Sequence, residues 1–460
     1  MRLGSFGWLG RALAAGMLLL LLLGAASPTL LGFPLWRVGS ALSVSTALTA
    51  KLACSSFFLS GFDAERNRQD AASYSPVNAW VSVRYLEDGV EANLWGLSSR
   101  TARYIPGVGC TLEPSPPGPS HRLAAVHTSP SSEPWPKGPP SQSMDPLWQQ
   151  QLQSLMAQDS AAGRDTRALL WLQQGQLRAE VYASGVTATT PLMSWSMGKS
   201  LTAVLQGRAE ALGYSERSDS ALFETWQQDE RRGIRMEDLL QMVSGLAFEE
   251  VYAPGSDAAK MLFEAPSAAA VALEQPLARP SGSHFAYSSG TTNLIAQWLS
   301  ERLGGPESFQ RFLHQQLLSP LGMRHTYMEP DPSGVPVGSS YVYASGRDWA
   351  RLALLLLNGG SYAGEPLLSP SWVAHATQPN GSQNERAYGY QLWLNHGDEQ
   401  LRWPALPADA YAMMGNRKQV VMVIPSRQAI FVRLGWSEGS YPMEQHVAAL
   451  LAYDTSLVMR

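Results

Sequence analysis

The 460-residue sequence predicts an α/β (α+β) fold. An antiparallel sheet is built from both ends of the chain and flanked by helices, with an inserted mainly helical subdomain. Two hairpin patterns indicate the sheet: one runs from Arg167 to Leu172 and from Leu177 to Ala183 around Gln-Gln-Gly-Gln, and the other turns at Pro425-Ser426 in QVVMVIPSRQAIFVRLGW. The segments between them, such as LTAVLQGRAEAL and TTNLIAQWLSERLG, have the periodicity of helices.

Residues 1–50 are predicted to be a signal peptide or a membrane anchor. Arg2 and Arg11 precede an apolar stretch with six consecutive leucines that ends in small residues, which is typical of a secretory signal cleaved near Ala26. The apolar character continues through PTLLGFPLW, so an uncleaved anchor is the alternative. In both cases we expect an exported protein, either periplasmic or anchored in the inner membrane and facing the periplasm.

Three further segments follow this leader. Residues 51–112 are expected to form a small N-terminal module, because AWVSVRY and VEANLWGL flank LEDG in the manner of a hairpin. Residues 113–144 are rich in proline and serine, a composition typical of a linker. Residues 145–460 contain both of the sheet-forming hairpins and are called the main domain below.

The two cysteines, Cys54 and Cys110, both lie in the N-terminal module. An exported chain meets an oxidising compartment, so a disulfide between them is expected. Two buried free thiols are the alternative.

Composition argues against several functions. The formal net charge of −4 gives no general attraction to nucleic acid, and the basic residues do not cluster into a binding stripe. The eight histidines lack metal-ligand spacing, and neither a glycine-rich phosphate loop nor a Gly-x-Ser-x-Gly motif occurs. We therefore expect no metal, no cofactor and no nucleic-acid partner.

Ser196 and Lys199, in PLMSWSMGKSLTAV, are the candidate catalytic pair. Residues i and i+3 of a helix share a face, so the lysine amine can reach the serine hydroxyl. The helix N-terminus favours negative charge on the serine oxygen, and apolar neighbours make the amine less basic and able to accept a proton. The alternative is that Ser196 caps the helix while Lys199 extends to solvent.

Tyr287 lies between a Ser/Gly-rich loop and the predicted start of a helix, in RPSGSHFAYSSGTTNL. A tyrosine at such a junction can point its oxygen into a cleft. An adjacent ammonium is expected to lower the pKa of the phenol, so that it exchanges protons with the serine and the leaving group. A core aromatic with a hydrogen-bonded hydroxyl is the alternative.

The segment YAMMGNRKQVVMVIP is the third candidate element. Gly415 permits close backbone approach just before a strong strand. This strand is therefore expected to border the cleft and to donate backbone N–H groups to an oxyanion. An ordinary turn glycine is the alternative.

Together, the Ser-x-x-Lys at 196–199, the Tyr-x-Ser at 287–289 and the glycine turn before the C-terminal strand resemble the serine β-lactamase and penicillin-binding-protein superfamily. The branch that the chain resembles is that of class C-like serine hydrolases, which includes esterases and 6-aminohexanoate-dimer hydrolases. The resemblance extends from Asp145 to Tyr453, and it implies a serine β-lactamase-like fold for the main domain.

The resemblance also implies roles for individual residues. Ser196 is the acylated nucleophile, Lys199 its general-base partner and Tyr287 the proton shuttle. The backbone N–H groups of Ser196 and of Asn416, which follows Gly415, form the oxyanion hole. Tyr252, in FEEVYAPGSD, is a candidate for assisting a leaving nitrogen, with a surface loop aromatic as the alternative.

Two departures from the β-lactamase pattern affect substrate recognition. Ser289 replaces the asparagine of Tyr-x-Asn, which puts the contact to an acylamino side chain in doubt. Met413-Met414-Gly415 stands in place of Lys-Thr-Gly, and the loss of that strand lysine argues against efficient penicillin turnover. Arg417 and Lys418 are the nearby cations that could compensate.

The sequence therefore predicts a serine hydrolase that cleaves small-molecule amide or ester bonds through an acyl-enzyme. A D-alanyl-type peptidase or penicillin-binding protein is the alternative within this fold, and a non-catalytic binding protein is the alternative outside enzymes. Several aromatic residues, namely Tyr252, Tyr388, Tyr390 and Trp393, indicate either an apolar-walled cleft or core positions.

Overall fold

The computed structural model describes residues 33–113, 123, 133–140 and 144–458, together with Met17 and Thr29. The leucine run of the predicted signal peptide lies outside the described residues. So does the predicted linker, apart from residues 113, 123, 133–140 and 144.

The N-terminal module combines two helices with a four-stranded antiparallel meander, in the order β1-β2-β3-β4. The hairpin predicted around LEDG is formed by β1 and β2. The elements are α1 (Val38–Phe58), α2 (Ala64–Ala72), β1 (Ser82–Leu86), β2 (Gly89–Leu94), β3 (Ser98–Ile105) and β4 (Gly109–Leu112).

Helix α1 packs on this sheet, and the disulfide expected from the sequence joins its Cys54 to Cys110 of β4. The predicted boundary at residue 50 falls inside α1, where residues 46–56 are buried. The segment Leu35–Phe58 is long and apolar enough to cross a membrane, yet 61% of its apolar window is buried inside the protein. This helix and the disulfide are weakly compatible with export.

The main domain is organised around a six-stranded antiparallel sheet in the order β12-β13-β14-β15-β5-β6. In chain order, the strands are β5 (Thr166–Gln173), β6 (Gln176–Tyr182), β7 (Leu192–Met193), β8 (Thr326–Met328), β9 (Val342–Ala344), β10 (Ser361–Tyr362), β11 (Glu365–Pro366), β12 (Trp393–Leu394), β13 (Tyr411–Gly415), β14 (Gln419–Ile424) and β15 (Ala429–Gly435). The first two strands and the last four thus form one sheet, as the sequence predicted. Both predicted hairpins are present, and the first turns through Gln174 and Gly175, whose φ angles of 53° and 74° suit a tight hairpin turn.

Helices fill the chain between the two halves of this sheet, as predicted for the inserted subdomain. Helix α3 (Pro146–Ala161) precedes the first strand of this sheet. The inserted helices are α4 (Met197–Ala211), α5 (Met236–Leu240), α6 (Asp257–Phe263), α7 (Ala268–Leu273), α8 (Ser289–Leu303), α9 (Pro306–Phe312), α10 (Ser319–Leu321), α11 (Gly346–Leu357) and α12 (Pro370–Ala376). Helix α13 (Met443–Val458) follows the last strand.

Two apolar cores flank the sheet because side chains alternate along each strand. In β14, Val420 and Met422 face a core that includes Val447 of α13, whereas Val421 faces a core that includes Leu352 of α11. Helices from both ends of the main domain therefore cover one face of the sheet, and the inserted helices cover the other.

A buried ion pair holds the N-terminal module on the main domain. Lys51 of α1 is 1% exposed and Glu329 is 0% exposed, and the Lys51 amine donates a hydrogen bond to the Glu329 carboxylate. Ser55 Oγ donates to the same carboxylate at 2.9 Å, and the backbone N–H of Cys110 donates to it at 2.5 Å. The carboxylate oxygens are thus satisfied by groups from the module alone.

Replacing Lys51 with methionine is expected to lower the free energy of unfolding by about 3–5 kcal/mol, because Glu329 is then a buried carboxylate without its cation. Urea denaturation followed by circular dichroism measures this change. The double variant Lys51→Met/Glu329→Gln is expected to recover much of the loss. Lys260→Met, which removes an exposed lysine, is the matched control. Equal unfolding free energies for Lys51→Met and the wild type would contradict the role given to this pair.

Candidate active site

Ser196 lies at the N-terminus of α4, directly after a sharp turn in the backbone. Trp195 has a φ of 49°, in the left-handed region, and its ring packs against Tyr74 at 5.7 Å between centroids. Gly198 allows α4 to approach the next layer closely, since a Cβ at this position would lie 2.7 Å from the carbonyl oxygen of Gly338. The turn leaves Ser196 partly exposed while the following turn of the helix is buried.

Lys199 is buried one turn along α4, with 1% of its surface exposed. Its amine donates to Ser196 Oγ at 3.0 Å, to Ser289 Oγ at 2.8 Å and to the carbonyl oxygen of Ser339 at 3.2 Å. Burial lowers the pKa of the Lys199 amine to about 8, and the negative charge of Glu250 opposes this shift. A larger fraction of this amine is therefore neutral near pH 7 than in an exposed lysine, and the amine is in direct contact with the serine hydroxyl.

Tyr287 faces Ser196 from the loop that leads into α8. Its ring stacks on Trp393, with 5.4 Å between centroids, and the Lys199 amine lies 4.8 Å from the centroid of the ring. The lowered pKa expected for Tyr287 is wrong. Burial raises the pKa of this phenol, although a side-chain hydrogen bond with Ser196 acts in the opposite direction. Burial of the phenol therefore outweighs the proximity of the Lys199 amine.

Ser289 connects Lys199 to a carboxylate that the sequence analysis missed. Its hydroxyl accepts from the Lys199 amine and donates to Glu250 Oε1 at 2.5 Å, and its backbone N–H donates to Glu250 Oε2 at 2.7 Å. Tyr252 donates its hydroxyl proton to Glu250 Oε1 at 2.7 Å, and its oxygen lies 3.4 Å from Ser289 Oγ. The sequence signal was available, because Glu250 stands two residues before the predicted Tyr252.

The strand that carries Gly415 borders the same cleft. A Cβ at position 415 would lie 2.2 Å from the carbonyl oxygen of Ser194, so only glycine permits this approach of β13 to the nucleophile turn. Gly415 and Asn416 line the cavity that also contains Ser196. Arg417 is not part of the lining, and its guanidinium lies 4.0 Å from the centroid of the Tyr74 ring.

A cavity of about 1010 Å³ lies beside this site, with Ser196, Glu250 and Tyr287 in its lining. Trp393 and Tyr252 also line it, whereas Tyr388 and Tyr390 are buried core residues with 1% and 0% exposure. Tyr390 donates its hydroxyl proton to Glu237 at 2.5 Å, away from the lining. Within the described part of the chain, no group of three or more His, Cys, Asp or Glu side chains could hold a metal ion.

The comparisons with known proteins agree with this architecture. The family model described as Beta-lactamase matches residues 149–453. A comparison with curated protein sequences finds no match.

Three solved structures illustrate the shared fold. A Bacillus anthracis protein assigned as a 6-aminohexanoate-dimer hydrolase is 18% identical, with a TM-score of 0.54, and the alignment covers 75% of this chain and 90% of that one. EstCE1, a hydrolase with promiscuous acyltransferase activity, is 15% identical with a TM-score of 0.55, covering 65% and 97%. A class C beta-lactamase is 12% identical with a TM-score of 0.51, covering 66% and 95%. At these identities the likeness is one of fold, and the family match over most of the main domain leads to one conclusion: the chain belongs to the beta-lactamase family.

Proposed function

We propose that this protein is an exported serine hydrolase that cleaves amide or ester bonds through an acyl-enzyme on Ser196. One observation carries the proposal: the amine of Lys199, almost fully buried and with its pKa lowered to about 8, lies 3.0 Å from Ser196 Oγ. A nucleophile and a proton acceptor in direct contact, with the acceptor deprived of water, are what activation of a serine hydroxyl requires.

In the acylation step, Ser196 Oγ attacks the acyl carbon and gives its proton to the neutral Lys199 amine. The Tyr287 hydroxyl, kept protonated by its raised pKa, donates a proton to the leaving oxygen or nitrogen. The proton on Lys199 then restores the tyrosine, so that the acyl–heteroatom bond is replaced by the ester of Ser196. Water attacks this ester in the second step and releases the acid, with the same groups moving protons in the reverse direction.

Backbone groups and one carboxylate complete the proposed machinery. The N–H groups of Ser196 and Asn416 stabilise the oxyanion, which is consistent with their positions around one cavity. Glu250 acts as a positioning residue, since it holds Ser289 against the Lys199 amine. Its negative charge also keeps the pKa of Lys199 from falling further.

The strand beside the nucleophile favours general ester or amide cleavage over the recognition of penicillins. Met413 is buried and Met414 lines the cavity, so apolar side chains occupy the positions where the resemblance predicts lysine and threonine. A substrate carboxylate therefore gains no cation from this part of β13.

Replacing Ser196 with alanine is expected to abolish covalent labelling by a fluorophosphonate probe, because the acylated oxygen is gone. Intact-mass spectrometry of the labelled protein measures this loss. Ser160→Ala, which removes an exposed serine of α3, is the matched control and should label like the wild type. Labelling that persists in Ser196→Ala would overturn the assignment of the nucleophile.

Replacing Glu250 with glutamine is expected to shift the acid limb of the pH profile of kcat/KM to lower pH. The carboxylate raises the pKa of Lys199, so its removal lowers that pKa and leaves more neutral amine at a given pH. The pH profile of ester hydrolysis measures the shift. Glu249→Gln, which changes the exposed neighbour, is the control and should leave the limb in place. A slower variant with an unmoved limb would contradict this electrostatic role.

A further inference from the structure

We propose that the cavity beside Ser196 is a binding site for the long hydrocarbon chain on the acyl side of an ester or amide. This inference rests on the proposed function and names its substrate class: acyl groups of fatty-acid length. Three features of the cavity support this assignment: the elements that form its walls, the position of charge along them and the residues at its mouth.

One wall of the cavity is supplied by the segment that the sequence predicted as signal or anchor. Phe33, Val38, Ala41, Leu42 and Leu48, from α1 and the residues before it, line the same cavity as Ser196. These apolar side chains, which belong to the described end of the predicted segment, therefore face a cavity of the protein. A main domain without the N-terminal module would lack this wall of the cavity.

Charge in the cavity is confined to a small part of its lining. Among the described residues, the charged side chains of the lining are Glu250 and Arg402. Glu250 is engaged by Ser289 at the catalytic centre, and Arg402 lies 4.7 Å from the centroid of Trp393 and donates to Glu385 at 2.5 Å. Trp393 stacks on the catalytic Tyr287, so both charges lie near the bond to be cleaved. The lining from the module is uncharged and mostly apolar.

The mouth of the cavity carries exposed indole rings. Trp80 and Trp95 both line the cavity, are 59% and 64% exposed, and lie 5.5 Å apart between ring centroids. Tryptophan combines a large apolar surface with a polar N–H group and is enriched where apolar and aqueous phases meet. Such a rim suits an amphiphile whose chain enters while its polar part stays hydrated.

A hydrocarbon chain in this site belongs to the acyl group that becomes bonded to Ser196. The chain therefore stays buried as the acyl-enzyme forms, and its burial contributes to binding of the transition state. Each methylene transferred from water to an apolar wall improves binding by about fourfold. The preference for longer acyl chains should therefore grow with chain length until the cavity is filled. A flat surface would give no such progression.

The test uses the full chain and a series of p-nitrophenyl esters from acetate to dodecanoate. We expect kcat/KM for the dodecanoate to exceed that for the butanoate by about tenfold or more. Ala41→Trp, which places a large ring in the cavity wall, is expected to lower the dodecanoate-to-acetate ratio by about tenfold or more. Gly39→Trp is the matched control, because Gly39 is exposed on the same helix with open space beside it. This control should keep the wild-type ratio.

The outcomes separate this inference from the proposed function. Hydrolysis of acetate that depends on Ser196, with no gain from longer chains or no change of ratio in Ala41→Trp, would overturn the chain site and leave the hydrolase intact. Absence of both ester hydrolysis and fluorophosphonate labelling would overturn the proposed function and the inference together. If the dodecanoate ester is hydrolysed faster in phosphatidylcholine vesicles than as a dilute monomer, the substrate chain comes from a bilayer. If the dilute monomeric ester is hydrolysed faster, the substrate is an amphiphile free in solution.

Discussion

The burial of the Lys199 amine without a carboxylate in direct contact is the constraint on which the site depends. Its hydrogen-bond partners are two serine hydroxyls and one carbonyl oxygen, and Glu250 lies beyond Ser289. Desolvation therefore outweighs attraction, and the pKa of the amine falls to about 8. Three features exclude water from this amine beside Ser196. They are the close packing at Gly198, the left-handed turn at Trp195 and the approach of β13.

A second buried lysine in the same chain shows the opposite arrangement. Lys51 contacts the carboxylate of Glu329 directly, and Ser55 and Cys110 complete that carboxylate's hydrogen bonds. This pair fastens α1 to the main domain, and α1 in turn forms a wall of the catalytic cavity. Thus one lysine supports the position of the cavity wall while the other supports the chemistry inside it.

The sequence was sufficient for features whose signal is local. The hairpins at both ends of the main domain have alternating patterns, and the Ser196–Lys199 spacing fixes a shared helix face. The Lys51–Glu329 pair escaped prediction because its residues are 278 positions apart. The position of Glu250 beside Tyr252 was visible in the sequence, but its contact with Ser289, 39 positions away, was not. The lowered pKa expected for Tyr287 was wrong because burial of the phenol raises its pKa, and burial at a loop–helix junction cannot be read from the neighbouring residues in the sequence.

The proposed role of Lys199 as a proton acceptor near neutral pH is tested by titrating its amine. Lysine labelled with carbon-13 at the ε carbon gives one resonance for each of the five lysines, and Lys199→Ala assigns the resonance of interest. We expect this signal to titrate with a pKa of about 8, well below the ordinary value of 10.5. A Lys199 signal that titrates at the ordinary value of 10.5 would contradict this role.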